Sequence, residues 1–238
     1  MEDYPEFEEI QIGSVSCLGK EGVPVWGIIH YLEQTCLNHM KLTTVQRICE
    51  LSARGIENYR FSVAASSAEI FPSESLLDSS FRDYVVMADN EKSPDSFWKV
   101  ISSYKRPVVF YNNGNRKIPL YDFTYPEAVR ITSFTEQSPF QVDAKGAVGA
   151  LIDLVYAGER EERARQIFLN EQIGQSARNI EAIVRASAVI SNSNVPEGVR
   201  RYAEQQLINC LGSQAKLNEK VGINQVTIRL DGQIDVKG

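Results

Sequence analysis

The apolar positions change period along the chain, and each period predicts an element. "EFEEIQIGSVSCLG" alternates apolar and polar residues, which predicts one or two short strands within 7–18. Trp26, Ile29, Leu32, Cys36 and Leu37 recur at helical spacing, so 24–40 is an expected amphipathic helix with Pro24 in its first turn. Thr43 and Gln46 form a capping-box pair, predicting a second helix that ends near Gly55. The runs 59–66, 83–89 and 107–112 read as strands. Between the last two, "SPDSFWKVISSYKR" opens on Ser93 as a cap and predicts a short helix. Strand, helix and strand together predict a β-α-β unit with a parallel pair. Asn113-Gly114 then marks a tight hairpin turn into "KIPLYDF", where Pro119 suits an edge strand, and "AVRITSF" adds another strand.

Beyond Phe134 the pattern turns helical. Ser138, Pro139 and Gln141 spell a capping box with proline inside it, so 138–158 is expected to be a helix. Its smooth face would be Gly146, Gly149, Ala150 and Asp153. Glycine costs up to about 1 kcal/mol in a helix interior, so close approach of another backbone is expected there. Ile173, Ala177, Ile180, Val184 and Ala188 form one further stripe, and Val199, Ala203, Leu207, Cys210 and Leu211 form another. The connector "SNSNVPEG" between them, with Asn194 as cap and Glu197 as its partner, predicts an antiparallel helical hairpin. Asp231-Gly232 near the end predicts a last β-hairpin.

Composition narrows the class. With 238 residues, 43% hydrophobic and 24% charged, the chain can bury a core without disulfides or metals. Net charge is −6, and five acids precede the first basic residue, Lys20. That balance counts against duplex nucleic acid and against an electrostatic hold on an anionic membrane. No apolar run approaches the roughly 18–20 residues of a membrane span. Cys17, Cys36, Cys49 and Cys210 match no C-x-x-C pair, and the acidic start lacks the basic, apolar features of a signal peptide. A cytoplasmic protein with reduced thiols is the expectation.

Candidate chemistry is sparse. "GSVSCLGKEG" lacks the Walker spacing and carries Glu21 where a hydroxyl belongs. His30, Cys36, His39 and Cys49 fit no standard zinc spacing; buried thiols and solvent-facing histidines are expected instead, with no metal and no cofactor. Cys36 and His39 could form a dyad on one helix, but a mid-helix nucleophile lacks a strained turn and oxyanion donors, so no catalytic residue is assigned. "YKRPVVFYNNGNRK" mixes bases and aromatics as a surface for single-stranded nucleic acid does, but in an acidic chain a hairpin with one wet face is the expectation. A ligand site at the carboxyl ends of the strands would use Ser66, Ser67, Asp89, Asn90 and Asn112.

These patterns predict an α+β protein. A mixed α/β head (1–136) would carry the β-α-β unit and β-hairpins, followed by a helical hairpin region (137–222) and a terminal β-hairpin or tail (223–238). The expected function is non-enzymatic protein–protein interaction, assembly or regulation. Self-association is expected through the helical C-terminal region, where Gly146, Gly149, Ala150, Asp153, Ile173, Ile180 and Val184 would pack against a protein partner or a second copy. The alternatives are a small-molecule or nucleotide sensor using the strand ends, and an enzyme using Cys36 and His39.

Overall fold

The computed structural model describes residues 12–64, 85–88, 96–103, 107–114, 116–121, 128–135, 139–161, 190 and 194–230. It is a mixed α+β fold of two antiparallel four-stranded sheets and their helices. The strands are β1 (Ile12–Leu18), β2 (Phe61–Ala64), β3 (Val85–Met87), β4 (Val108–Asn113), β5 (Arg116–Pro119), β6 (Arg130–Thr135), β7 (Gln141–Ala147) and β8 (Gln225–Leu230). The helices are α1 (Val25–Ala53), α2 (Ser96–Ser103), α3 (Val148–Val155) and α4 (Glu197–Val221).

The second sheet has the order β3-β2-β4-β5. β3, α2 and β4 do form a β-α-β crossover, but β2 lies between the two strands and is antiparallel to both. The adjacent parallel pair expected from the sequence is therefore replaced by a split unit. The hairpin is where it was expected: Asn113 pairs with Arg116 across Gly114, whose φ is +59°. β5, with Pro119, is an edge strand. β2 is buried on both faces, Ser62 included.

The first sheet has the order β6-β7-β1-β8. Here the sequence expectation fails at Ser138–Gly158. Residues 141–147 form a strand paired along its whole length with β1, and the helix starts only at Val148. "QVDAKGA" alternates at period two, and its Val142 and Gly146 are buried while Lys145 is exposed. Gly146 meets a backbone in a sheet and not on a helix face: it pairs with Gly13, and both are buried. The boundary expected at 136/137 falls between β6 and β7, which pair with each other. β8 joins β1 on its other side, so the expected second strand of the terminal hairpin (231–238) lies outside the described residues.

α1 is a single helix where two were expected. Thr43 and Thr44 are buried inside it rather than capping a new start. At 29 residues it is about 43 Å long and serves both sheets. Its first half packs Ile28, Tyr31 and Cys36 toward the first sheet. Its second half packs Leu42, Val45, Ile48, Cys49 and Leu51 with Phe61, Val63, Val109 and Tyr111 of the second. α4 lies along α1, and its stripe Val199, Ala203, Leu207, Cys210 and Leu211 is buried as its spacing predicts. The N-cap position of α4 is taken by Pro196, two residues after the expected Asn194, and Pro196 makes no side-chain cap bond.

Polar side chains join these helices. Gln214, fully buried on α4, accepts from Asn38 Nδ2 (2.9 Å) and donates to Thr35 Oγ1 (2.9 Å) and Asn218 Oδ1 (3.0 Å). Asn218 Nδ2 donates to the carbonyls of Leu154 and Val155, both at 2.8 Å, and so satisfies the end of α3. α2 is held by stacking of Trp98 on Tyr202, with ring centroids 5.7 Å apart.

Candidate functional site

Of the ligand-site residues singled out by sequence, only Asn112 falls within the described residues. Ser66, Ser67, Asp89 and Asn90 lie outside the described residues. Asn112 is a ladder residue whose Oδ1 accepts from Ser62 Oγ at 3.2 Å. β2 ends at Ala64 beside Val108, the first residue of β4, so the carboxyl ends of these two strands point to opposite ends of the sheet. An antiparallel sheet does not gather its strand ends along one rim as a parallel one does.

Of the expected packing set, Ile173, Ile180 and Val184 lie outside the described residues, and Gly146 is in β7 instead of a helix. Gly149, Ala150 and Asp153 belong to α3, which lies against α1, α4 and β1. Asp153 is buried with Arg160 Nε 3.6 Å from its Oδ1.

The Cys36/His39 pair offers no accessible dyad. His39, expected to face solvent, is fully buried, with Nδ1 3.5 Å from the Tyr121 hydroxyl. Cys36 packs beside Val15, Cys17, Val129 and Leu151. Burial pushes the Cys210 thiol up to about 11; burial, helped by the Asp143 charge, pushes Cys17 up to about 12. Burial also raises Cys49, so these three thiols are held protonated. No disulfide joins the four cysteines, and among the described residues no group of three or more His, Cys, Asp or Glu could hold a metal ion. In the basic-aromatic hairpin, Phe110 and Tyr111 are buried while Arg116 and Lys117 are exposed, which is the wet-faced arrangement.

What sequence reading missed is the first turn of α1. Ile28, Tyr31 and the polar Asn38 turn inward, joined by half-buried Thr35, so the inward face is rotated from the expected one. Trp26 and Ile29, counted as core by their spacing, are 74% and 60% exposed, and Val25 is 45% exposed. Only the partners of Thr35 and Asn38 across the helix pair reveal that these polar positions face inward.

On the same helix, His30 and Gln34 line a groove of about 450 Å³ between α1 and α4. Lys216 and Lys220 stand along its α4 side, and Glu161 faces Gly212. A Cβ at Gly212 would lie 2.9 Å from Glu161 Oε1, so the glycine makes room for this carboxylate. Trp26 precedes His30 by four residues and Gln34 by eight, placing the indole on the same helical side as the groove.

The first sheet has one packed and one open face. Val15, Cys17, Ala144, Val226 and Ile228 face the helices. Opposite them, Asp143 accepts hydrogen bonds from Ser133 Oγ and from Gln141 Nε2 (3.2 Å), and Gln141 also donates to Ser16 Oγ (3.2 Å). No described helix is long and apolar enough to cross a membrane. Set against known proteins, the chain matches no family model, no curated protein and no solved structure.

Proposed function

We propose that this protein works by protein–protein contact, with the first turn of α1 as its principal contact surface. The observation that carries the reading is the exposed trio Val25, Trp26 and Ile29. Tryptophan is enriched among the residues that dominate interface energy, because its large surface is desolvated at little cost in side-chain freedom. Scattered single apolar residues on a surface need no partner, but three on one helical turn form a patch. The apolar stripe of α4 is spent inside the fold, so α1 replaces the C-terminal helix as the surface offered to a partner. The groove rimmed by Lys216, Lys220 and Glu161 supplies the polar border that such patches carry. A reducing, cytoplasmic setting suits buried thiols in a chain without disulfides.

The test is quantitative affinity purification from the native cell with the wild type and with Trp26→Ser/Ile29→Ser. Both residues are exposed, so the melting temperature should hold. A partner enriched by the wild type should be lost with the variant, and its reconstituted affinity should fall about 30-fold or more, as for hot-spot residues. Identical partner sets for both proteins refute the assignment.

A further inference from the structure

We infer that the outer edge of β6 is a pairing site for β6 of a second copy of this chain, joining two first sheets into one eight-stranded sheet. β6 is the end strand of its sheet, and its outer edge has no strand partner among the described residues. All six of its residues are exposed, on both faces, so the strand projects as a ledge beyond the helices that cover the rest of the sheet. An exposed edge with apolar side chains is a template for another strand.

The side-chain order on β6 identifies the occupant. Ile131 pairs with Ala144 and Phe134 with Val142, so both point to the apolar face of the sheet, yet they are 37% and 40% exposed. Ser133 shares the opposite face with Asp143, and a bulge lies between Ile131 and Ser133. Place two copies antiparallel, with a two-fold axis between Thr132 and Ser133. Ile131 of each copy then faces Phe134 of the other, an aromatic–β-branched pair on the apolar side, made twice. Thr132 faces Ser133 at the axis, hydroxyl to hydroxyl, and the two bulges coincide instead of clashing in register. Arg130, the only charge on the strand, faces Thr135 and meets no like charge. The chain as a whole carries −6, so two copies repel at long range, but this strand adds nothing to that repulsion. The contact uses neither Trp26 nor α4 and stands independently of the α1 surface.

An edge contact of this kind lies at the small end of specific interfaces, so it is expected to dissociate in about the micromolar range. Sedimentation velocity from about 1 to 200 μM should show the mass doubling with concentration. Ile131→Lys/Phe134→Lys should stay at the single-chain mass throughout with an unchanged melting temperature, and Trp26→Ser should dimerise like the wild type. Register is read by mixing two chains, each also carrying Cys36→Ser. Ile131→Cys mixed with Phe134→Cys should give an oxidised, cross-linked dimer, and neither should cross-link alone, since directly opposed Cβ atoms suit a disulfide. A wild type that remains at the single-chain mass at the highest concentration overturns the inference. So does a dimer that survives the double lysine change, or cross-linking of either cysteine chain with itself.

Discussion

At Gly19 the backbone passes directly under a ring: a Cβ there would lie 1.9 Å from Cε1 of Phe140. The contact follows from the ladder, since Gly19 N–H donates to Phe140 C=O at 3.0 Å just past the last β1–β7 pair. Phe140 is buried with Ile28, Tyr31, Leu217 and Val221, so its ring cannot swing aside freely. Gly19→Ala should therefore cost about 1–3 kcal/mol, the usual range for overpacking, in a denaturant titration. The double variant with Phe140→Leu should be less unstable than the two losses summed, because the sites share one contact. Asp143 makes a second prediction at this scale. Burial pushes its carboxyl up, but hydrogen bonds from Ser133, Ser16 and Gln141 and the charge of Arg229 outweigh that and hold it below its ordinary value. A carboxyl depressed in the folded state stabilises above its unfolded value, near 4, and loses that contribution as pH falls through the folded value. Asp143→Asn should therefore lose less stability than the wild type between about pH 5 and about pH 2. Parallel acid titrations of the two proteins would show that the carboxylate stabilises nothing.

Among elements, the α1–α4 pair depends on a buried polar contact as well as on its apolar stripe. Gln214→Ala removes the acceptor of Asn38, which is itself buried, and the donor to Thr35. Stranding a buried amide and opening a cavity should together cost about 2–4 kcal/mol, read from the urea midpoint. Adding Asn38→Ala should cost little more, because the stranded group is then gone. This network also explains what the sequence concealed. Thr35 and Asn38 look like surface residues until Gln214 is placed beside them, 176 positions away from Asn38. The apolar spacing of Trp26 and Ile29 then points to the wrong face. Elements whose signals are local were legible: the turn at Gly114, the edge strand with Pro119 and the apolar stripe of α4. β7 was concealed because Ser138, Pro139 and Gln141 imitate a helix start, while its strand state is imposed by pairing with β1. The break expected at Thr43 vanished for a similar reason, since burial on all sides carries α1 through a pair of β-branched residues.

For the whole molecule, the α+β class was legible from the mixture of periods, whereas the strand orders were not. Neither the insertion of β2 between β3 and β4 nor the capture of β8 by β1 leaves a mark on local sequence. The candidate site was less legible than the fold, because exposure of α1's first turn depends on how far the sheets and α4 extend beneath it. β1 is an inner strand whose neighbours are β7 and β8, the second of which begins at Gln225. The described strands of the second sheet have all emerged by Pro119, far sooner. At roughly 5–20 residues per second, about 200 residues separate the emergence of β1 from that of β8, leaving one edge of β1 open for roughly 10–40 seconds. β1 can thus pair on one side once β7 has emerged, while its other side waits for β8.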